Sequence, residues 1–133
     1  MKRLIVLLSV PLWLHAAVID DYLATLAKEA KAQDANFQGF SAERGKQIFE
    51  TKRIGKRGKK ISCASCHTTN LRAEGENVFT GKRIAPLSPA VNPKRLTKLK
   101  TVKKWLRRNF KDVYKREGTA QEKGDVLTYI LSQ

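Results

Sequence analysis

Five consecutive residues, Cys63-Ala64-Ser65-Cys66-His67, constrain this chain more than any other stretch of it. They read C-x-x-C-H, the attachment signature of a c-type haem. On one turn of helix, residues three apart share a face, so both thiols can reach the two vinyl groups of one porphyrin and form thioethers. The next residue, His67, then points its imidazole at the iron. A redox C-x-x-C of the thioredoxin kind belongs in a βαβ pattern, and none is visible. A zinc site takes four protein ligands, but Cys63 and Cys66 are the only cysteines and the only other histidine is His15. The pattern implies one covalent haem c on Cys63, Cys66 and His67. The rest of the chain must then wrap a porphyrin.

The N-terminus opens with Lys2-Arg3, an apolar run from Leu4 to Leu14, and Ala16-Ala17. A charged start, a short apolar stretch and small residues describe a secretory signal peptide over residues 1–17. The alternative, an uncleaved anchor, is disfavoured by the length of the run and by Pro11 within it. No cysteine stands near the cut to carry a lipid. These features predict an exported, periplasmic domain over residues 18–133, with no stable membrane anchor after cleavage. Lys and Arg number 27 against 12 Asp and Glu, a net charge of +15, and losing Lys2 and Arg3 with the leader leaves +13. Such an excess favours an acidic partner. Nucleic acid, the usual partner of a basic chain, does not fit an exported haem domain.

Periodicity predicts helices and no strands. Ile19, Leu23, Leu26, Ala27 and Ala30 recur at three- and four-residue intervals over Val18 to Gln33. Ser41 suits the N-cap of a second helix over Ala42 to Glu50. Within it Gly45 shares a face with Phe49, and is either a close-crossing point or a tolerated glycine. Residues 51–60 form a basic, glycine-containing loop, either a solvated turn or a docking surface near the haem edge. Thr68 to Pro93 is irregular, and a loop of that length suits a chain that packs on a cofactor. In it Pro86 could accept a hydrogen bond from the outer nitrogen of His67, or simply shape a turn. A third helix, Thr101 to Val113, places Val102, Trp105, Leu106, Asn109 and Val113 on one face. Thr119 and Glu122 form a capping box for the last helix.

Haem iron in an electron carrier usually takes a second strong ligand, Met or His. Here the only candidates of those types are Met1 and His15, and both leave with the leader. What remains is a vacant or water-bound position, a lysine, a tyrosine, the new terminal amine or a side-chain amide. Asn109 is the best-placed amide, since it stands among core positions, where an unpartnered polar group is costly. It is either a metal ligand or a hydrogen-bonded core residue. Trp105 and Leu106 would line the pocket beside it, or serve as plain helix core.

Helix, C-x-x-C-H, proline-containing loop and two further helices resemble a class I cytochrome c, an all-α fold around one haem. Three segments are more particular: residues 80–89, Thr-Gly-Lys-Arg-Ile-Ala-Pro-Leu-Ser-Pro; residues 102–109, ending at Asn109; and residues 118–125, Gly-Thr-Ala-Gln-Glu-Lys-Gly-Asp. These resemble SHP, the sphaeroides-type haem proteins, which bind oxygen and nitric oxide. The resemblance runs from about Phe40 to the C-terminus. It implies that Asn109 is the sixth ligand of ferric iron and leaves on reduction, opening the iron to a small diatomic ligand. It also implies a dihaem cytochrome c as electron donor. Relatives of this kind carry two further cysteines beside and after the asparagine. This chain has Phe110 there and no cysteine at 117–119. Competing readings are a six-coordinate electron carrier and an exported thiol protein using Cys63 and Cys66.

Overall fold

The computed structural model describes the chain from Trp13 to Gln133, with side chains from Ala17 onward. The expected leader cut, Met1 and the His15 side chain lie outside the described residues. Five helices alternate with short ladders: α1 (Trp13–Gln33), α2 (Ala42–Glu50), β1 (Arg53–Ile54), β2 (Lys60–Ile61), α3 (Ala64–His67), β3 (Gly75–Glu76), β4 (Arg83–Ile84), α4 (Leu99–Tyr114) and α5 (Ala120–Leu131). No described helix is long and apolar enough to cross a membrane.

α1 forms because Ile19, Tyr22, Leu26 and Ala30 make a buried stripe at helical spacing. It begins earlier than the expected Val18. α2 matches its expected bounds, and the Ser41 hydroxyl accepts from the Arg44 amide at 3.2 Å. The capping box of α5 is complete. Glu122 N donates to Thr119 Oγ1 at 3.1 Å, and Thr119 N donates to Glu122 Oε2 at 2.8 Å. α4 lacks a side-chain cap and ends on Lys115 in the left-handed region.

α5 is the centre of the packing, with α2 and α1 laid along it. The α2 crossing explains Gly45. A Cβ there would sit 2.0 Å from the Asp125 carbonyl oxygen and 2.8 Å from Tyr129 Cβ, so only glycine allows this approach. Buried side chains of α1, α2, α4 and α5 form one cluster, joined from the long loop by Leu71. α4 is more lightly attached, touching α1 and the segment around β1.

Two antiparallel ladders depart from the expectation of no strands. Arg53 pairs with Ile61 and Ile54 with Lys60; Gly75 pairs with Ile84 and Glu76 with Arg83. Each strand is two residues long, too short for a period-two pattern to register in a sequence.

Candidate haem site

β2 delivers the chain to the C-x-x-C-H motif. Cys63 caps α3 with helical backbone angles, and the amides of Cys66 and His67 both donate to the Cys63 carbonyl, at 3.2 and 3.1 Å. The Ser65 hydroxyl braces the turn by accepting from the Ser62 amide at 2.9 Å. Cys63, Cys66 and His67 therefore occupy a single helical turn as free thiols and imidazole. The turn stops at once: Thr68 has φ 64°, unusual for a β-branched residue, and its hydroxyl donates to the Asn70 carbonyl at 2.7 Å.

The back of this turn is closed by β3. A Cβ on Gly75 would lie 1.9 Å from the Cys66 carbonyl oxygen and 3.1 Å from His67 Cα. Only a bare backbone can approach so closely. A cavity of about 470 Å³ opens beside Cys66, lined by Ser65, Thr68, Glu74, Glu76, Val78 and Arg83 among others.

His67 lies against the core, its ring 6.0 Å from that of Phe49. Burial, and to a lesser degree the positive charge of Arg95, push its imidazole down to about 4. It is therefore neutral at ordinary pH, the form a metal ligand must have. Burial pushes the Cys63 thiol up to about 12, so it rests as a thiol.

Pro86 is held within its own loop. Its carbonyl accepts from Asn92 Nδ2 and from Arg95 Nε, each at 3.0 Å, which uses both lone pairs. Arg95 also donates to the Ala85 carbonyl at 2.7 Å. No hydrogen bond from His67 reaches Pro86. The proline loop is tied by Arg95, a residue the sequence pattern did not single out.

The buried stripe of α4 also differs from expectation. Val102, Leu106, Phe110 and Val113 are buried, whereas Asn109 is half-buried and Trp105 is 44% exposed. Phe110, read from sequence as a replaced cysteine, is the core residue. A Cβ on Gly118 would be 2.8 Å from its ring, so the ring sits on the Gly118 backbone. Trp105, Asn109 and Asp112 fall at i, i+4 and i+7, on one flank of the helix. That flank adjoins the chain leading into the motif. Asp112 Oδ1 pairs with Lys56 Nζ at 3.4 Å, and Gly55 lies against the Asp112 carbonyl. The Asn109 amide makes no hydrogen bond within the described residues.

The basic loop is folded back on the protein. Lys56, Arg57 and Lys59 gather over the Phe79 ring at 5.4, 5.5 and 5.6 Å. Among the described residues, no three His, Cys, Asp or Glu side chains cluster as an independent metal site. The residues of the motif fit a c-type haem: two thiols on one turn, a neutral imidazole and a glycine-backed cradle.

A model for a domain of unknown function (DUF1924) matches residues 35–130. The cytochrome c-type protein SHP of Cereibacter sphaeroides is 39% identical over 92 residues, 69% of this chain and 70% of its own. Cytochrome c'' of Methylophilus methylotrophus is 36% identical over 104 residues, 77% of this chain and 72% of its own. The fold matches the crystal structure of oxidised cytochrome c'' with a TM-score of 0.79 at 30% identity, over 88% of this chain and 95% of that one. It matches oxidised SHP, described as an oxygen-binding cytochrome c, with a TM-score of 0.74 at 35% identity, over 86% and 96%. A solution structure of cytochrome c'', solved to explain detachment of a haem ligand, gives 0.76 at 31% identity, over 86% and 92%. These matches bear out the all-α, class I cytochrome c-like fold.

Proposed function

The chain belongs to the family of c-type cytochromes that takes in SHP and cytochrome c'', and on that premise we propose an exported, periplasmic monohaem cytochrome that binds a small diatomic ligand. One haem c, held by thioethers to Cys63 and Cys66, supplies a redox-active iron with one position left for exchange. His67 would hold the iron through its imidazole. Its neutrality at ordinary pH means that no proton must be expelled before it binds.

Asn109 is the sixth ligand of the ferric state. A neutral amide oxygen is a hard, weak donor, better matched to ferric than to ferrous iron. With a haem iron bound, it would be held more weakly in the reduced state, where oxygen or nitric oxide could take its place. Trp105, one turn earlier on the same flank, stands at the rim of that position. The electron comes from an acidic redox partner, for which a dihaem cytochrome c is the proposed class.

The observation that carries this reading is the half-buried Asn109 amide, without a hydrogen bond among the described residues, on the flank of α4 whose Asp112 pairs with Lys56 of the loop that leads to the motif. Oxygen binding by SHP and ligand detachment in cytochrome c'' lend it support. The test is Asn109→Ala. Covalent haem should be retained, because the attachment residues are untouched. The ferric spectrum should change, cyanide should bind faster, and the ferrous spectrum should stay five-coordinate and responsive to carbon monoxide. A ferric spectrum identical to that of the unaltered protein would remove Asn109 from the iron. A low-spin ferrous protein indifferent to carbon monoxide would favour a six-coordinate electron carrier instead.

A further inference from the structure

Beside Trp105, α4 carries a group of exposed cations. Lys100, Lys104, Arg107 and Arg108 stand exposed on its outer surface. None of the four has a carboxylate within ion-pair distance among the described residues, and the acidic groups that follow them in the chain pair elsewhere: Asp112 with Lys56, Glu117 with Lys111, Glu122 with Arg116 and Asp125 with Arg44. In the basic loop, by contrast, Lys56 is already paired with Asp112. Like charges on one face of a helix repel and oppose folding of that helix. Four unneutralised cations are therefore a standing cost that an acidic surface would remove.

We propose that the outer face of α4, centred on Lys104, Arg107 and Arg108, is where an acidic electron-donor protein docks. This rests on the haem reading above. The surface presents two guanidinium groups in adjacent positions, and Arg is the side chain suited to bidentate capture of carboxylates. Lys104 and Arg108 also lie over the Trp105 ring at 5.6 and 5.4 Å, which fixes both head groups relative to the helix. Pre-ordered side chains lose less entropy on binding. One electron would pass from the donor's reduced centre to the ferric iron, leaving the donor oxidised and forming no bond.

The experiment uses the haem-loaded protein and reduced flavodoxin, a small acidic one-electron donor, as the probe. Lys104→Glu with Arg108→Glu changes the net charge by the same amount as Lys28→Glu with Lys31→Glu on exposed α1 positions. Long-range steering is thus nearly matched, and only local docking differs. At low ionic strength the α4 pair should bind flavodoxin at least about tenfold more weakly than the α1 pair, with a converging affinity at high salt. Amide shifts on titration should map to α4. Equal weakening by both pairs would reduce the effect to net charge and overturn the docking face. A larger loss from Arg57→Glu with Lys59→Glu would move the face to the loop and also overturn it. Binding of the unaltered protein to phosphatidylglycerol vesicles, lost in the α4 pair while flavodoxin binding persists, would assign the face to a lipid surface instead. A pyridine haemochrome assay separates the two levels. Absence of covalent haem would sink the functional reading and the proposal with it, whereas haem present with unaltered binding in the α4 pair would sink the docking face alone.

Discussion

Asp125 is the buried charge around which residues 39–44 are arranged. Its carboxylate accepts from Arg44 Nε and Nη2 at 2.8 and 2.9 Å and from the Ser41 amide at 2.7 Å. Its own side chain is 2% exposed, but that of Arg44 is 44% exposed. Water can therefore take over the arginine when the acid is removed, while the Ser41 amide is left poorly satisfied. Asp125→Ala should cost about 1.5–3 kcal/mol, the range for hydrogen bonds to charged groups, rather than the larger penalty of a fully stranded ion. Denaturant melts would check this. Glu122 carries the pH dependence at this scale. The bidentate hydrogen bonds from Arg116, at 2.7 and 2.8 Å, and then the Thr119 amide hold its carboxyl below its ordinary value of 4.5. The folded form thus binds the proton less readily than the unfolded form. Its stabilising contribution is complete above the ordinary value and is lost as pH falls through the depressed one. Glu122→Gln should lower stability at neutral pH and flatten the acid limb below about pH 4.5, read from denaturation midpoints across pH. The capping box was legible because Thr119 and Glu122 sit in a fixed local spacing. Asp125 was not, because its partners lie more than eighty residues away in sequence and nothing local distinguishes it from an exposed aspartate.

Among the elements, α2 and α5 are joined by contact that a single methyl would break. Since the atom nearest a Cβ on Gly45 is a backbone oxygen at 2.0 Å, no flexible side chain can yield to relieve the clash. Gly45→Ala should therefore destabilise despite its better helix propensity, and Gly45→Leu should do so by at least about 1–3 kcal/mol, the cost of core overpacking. An unchanged melting temperature for either variant would refute the crossing. The helix-period pattern located α2 and α5 well, because half-buried helices write their burial into every third or fourth residue. It was less faithful for α4. There Val102, Leu106 and Val113 were foreseen in the core, but the buried aromatic is Phe110 and not Trp105. The two rings stand five residues apart, on either side of the stripe, and periodicity alone does not say which side faces inward. Lys104 and Arg108 around Trp105, with Gly118 beneath Phe110, decide it. Pro86 shows a related limit: a proline can be located in sequence, but the donors that reach its carbonyl are supplied by the fold.

For the whole molecule, the C-x-x-C-H motif makes the cofactor legible, yet it says little about how the long loop after it is held. The helical part has a core of its own, since α1, α2 and α5 bury Leu26, Phe49, Leu127 and their neighbours against one another. The chain from Thr68 to Lys98 holds only the β3–β4 ladder and a few anchors. Leu71 is buried, its carbonyl accepts from the Leu87 and Ser88 amides at 2.9 Å each, and the Ser88 hydroxyl donates to the Gln133 carbonyl at 2.6 Å. α4 touches α1 and the segment around β1, and buries Val102, Leu106, Phe110 and Val113. A covalent group joined to Cys63 and Cys66 would give the loop that follows them buried surface that its few anchors do not supply. Replacing both cysteines, Cys63→Ser with Cys66→Ser, should then affect the molecule unevenly. Helical circular dichroism should be largely retained, and α1, α2 and α5 should keep slow amide exchange. Residues 72–98 should exchange much faster than in the haem-bearing protein, as segments with few buried apolar contacts do, and α4, with Val102, Leu106, Phe110 and Val113 buried, should change less. Hydrogen exchange read by mass spectrometry resolves these segments. Loss of protection everywhere would mean that the helical core is not self-sufficient. Unchanged protection at 72–98 would mean that protein contacts alone hold the loop.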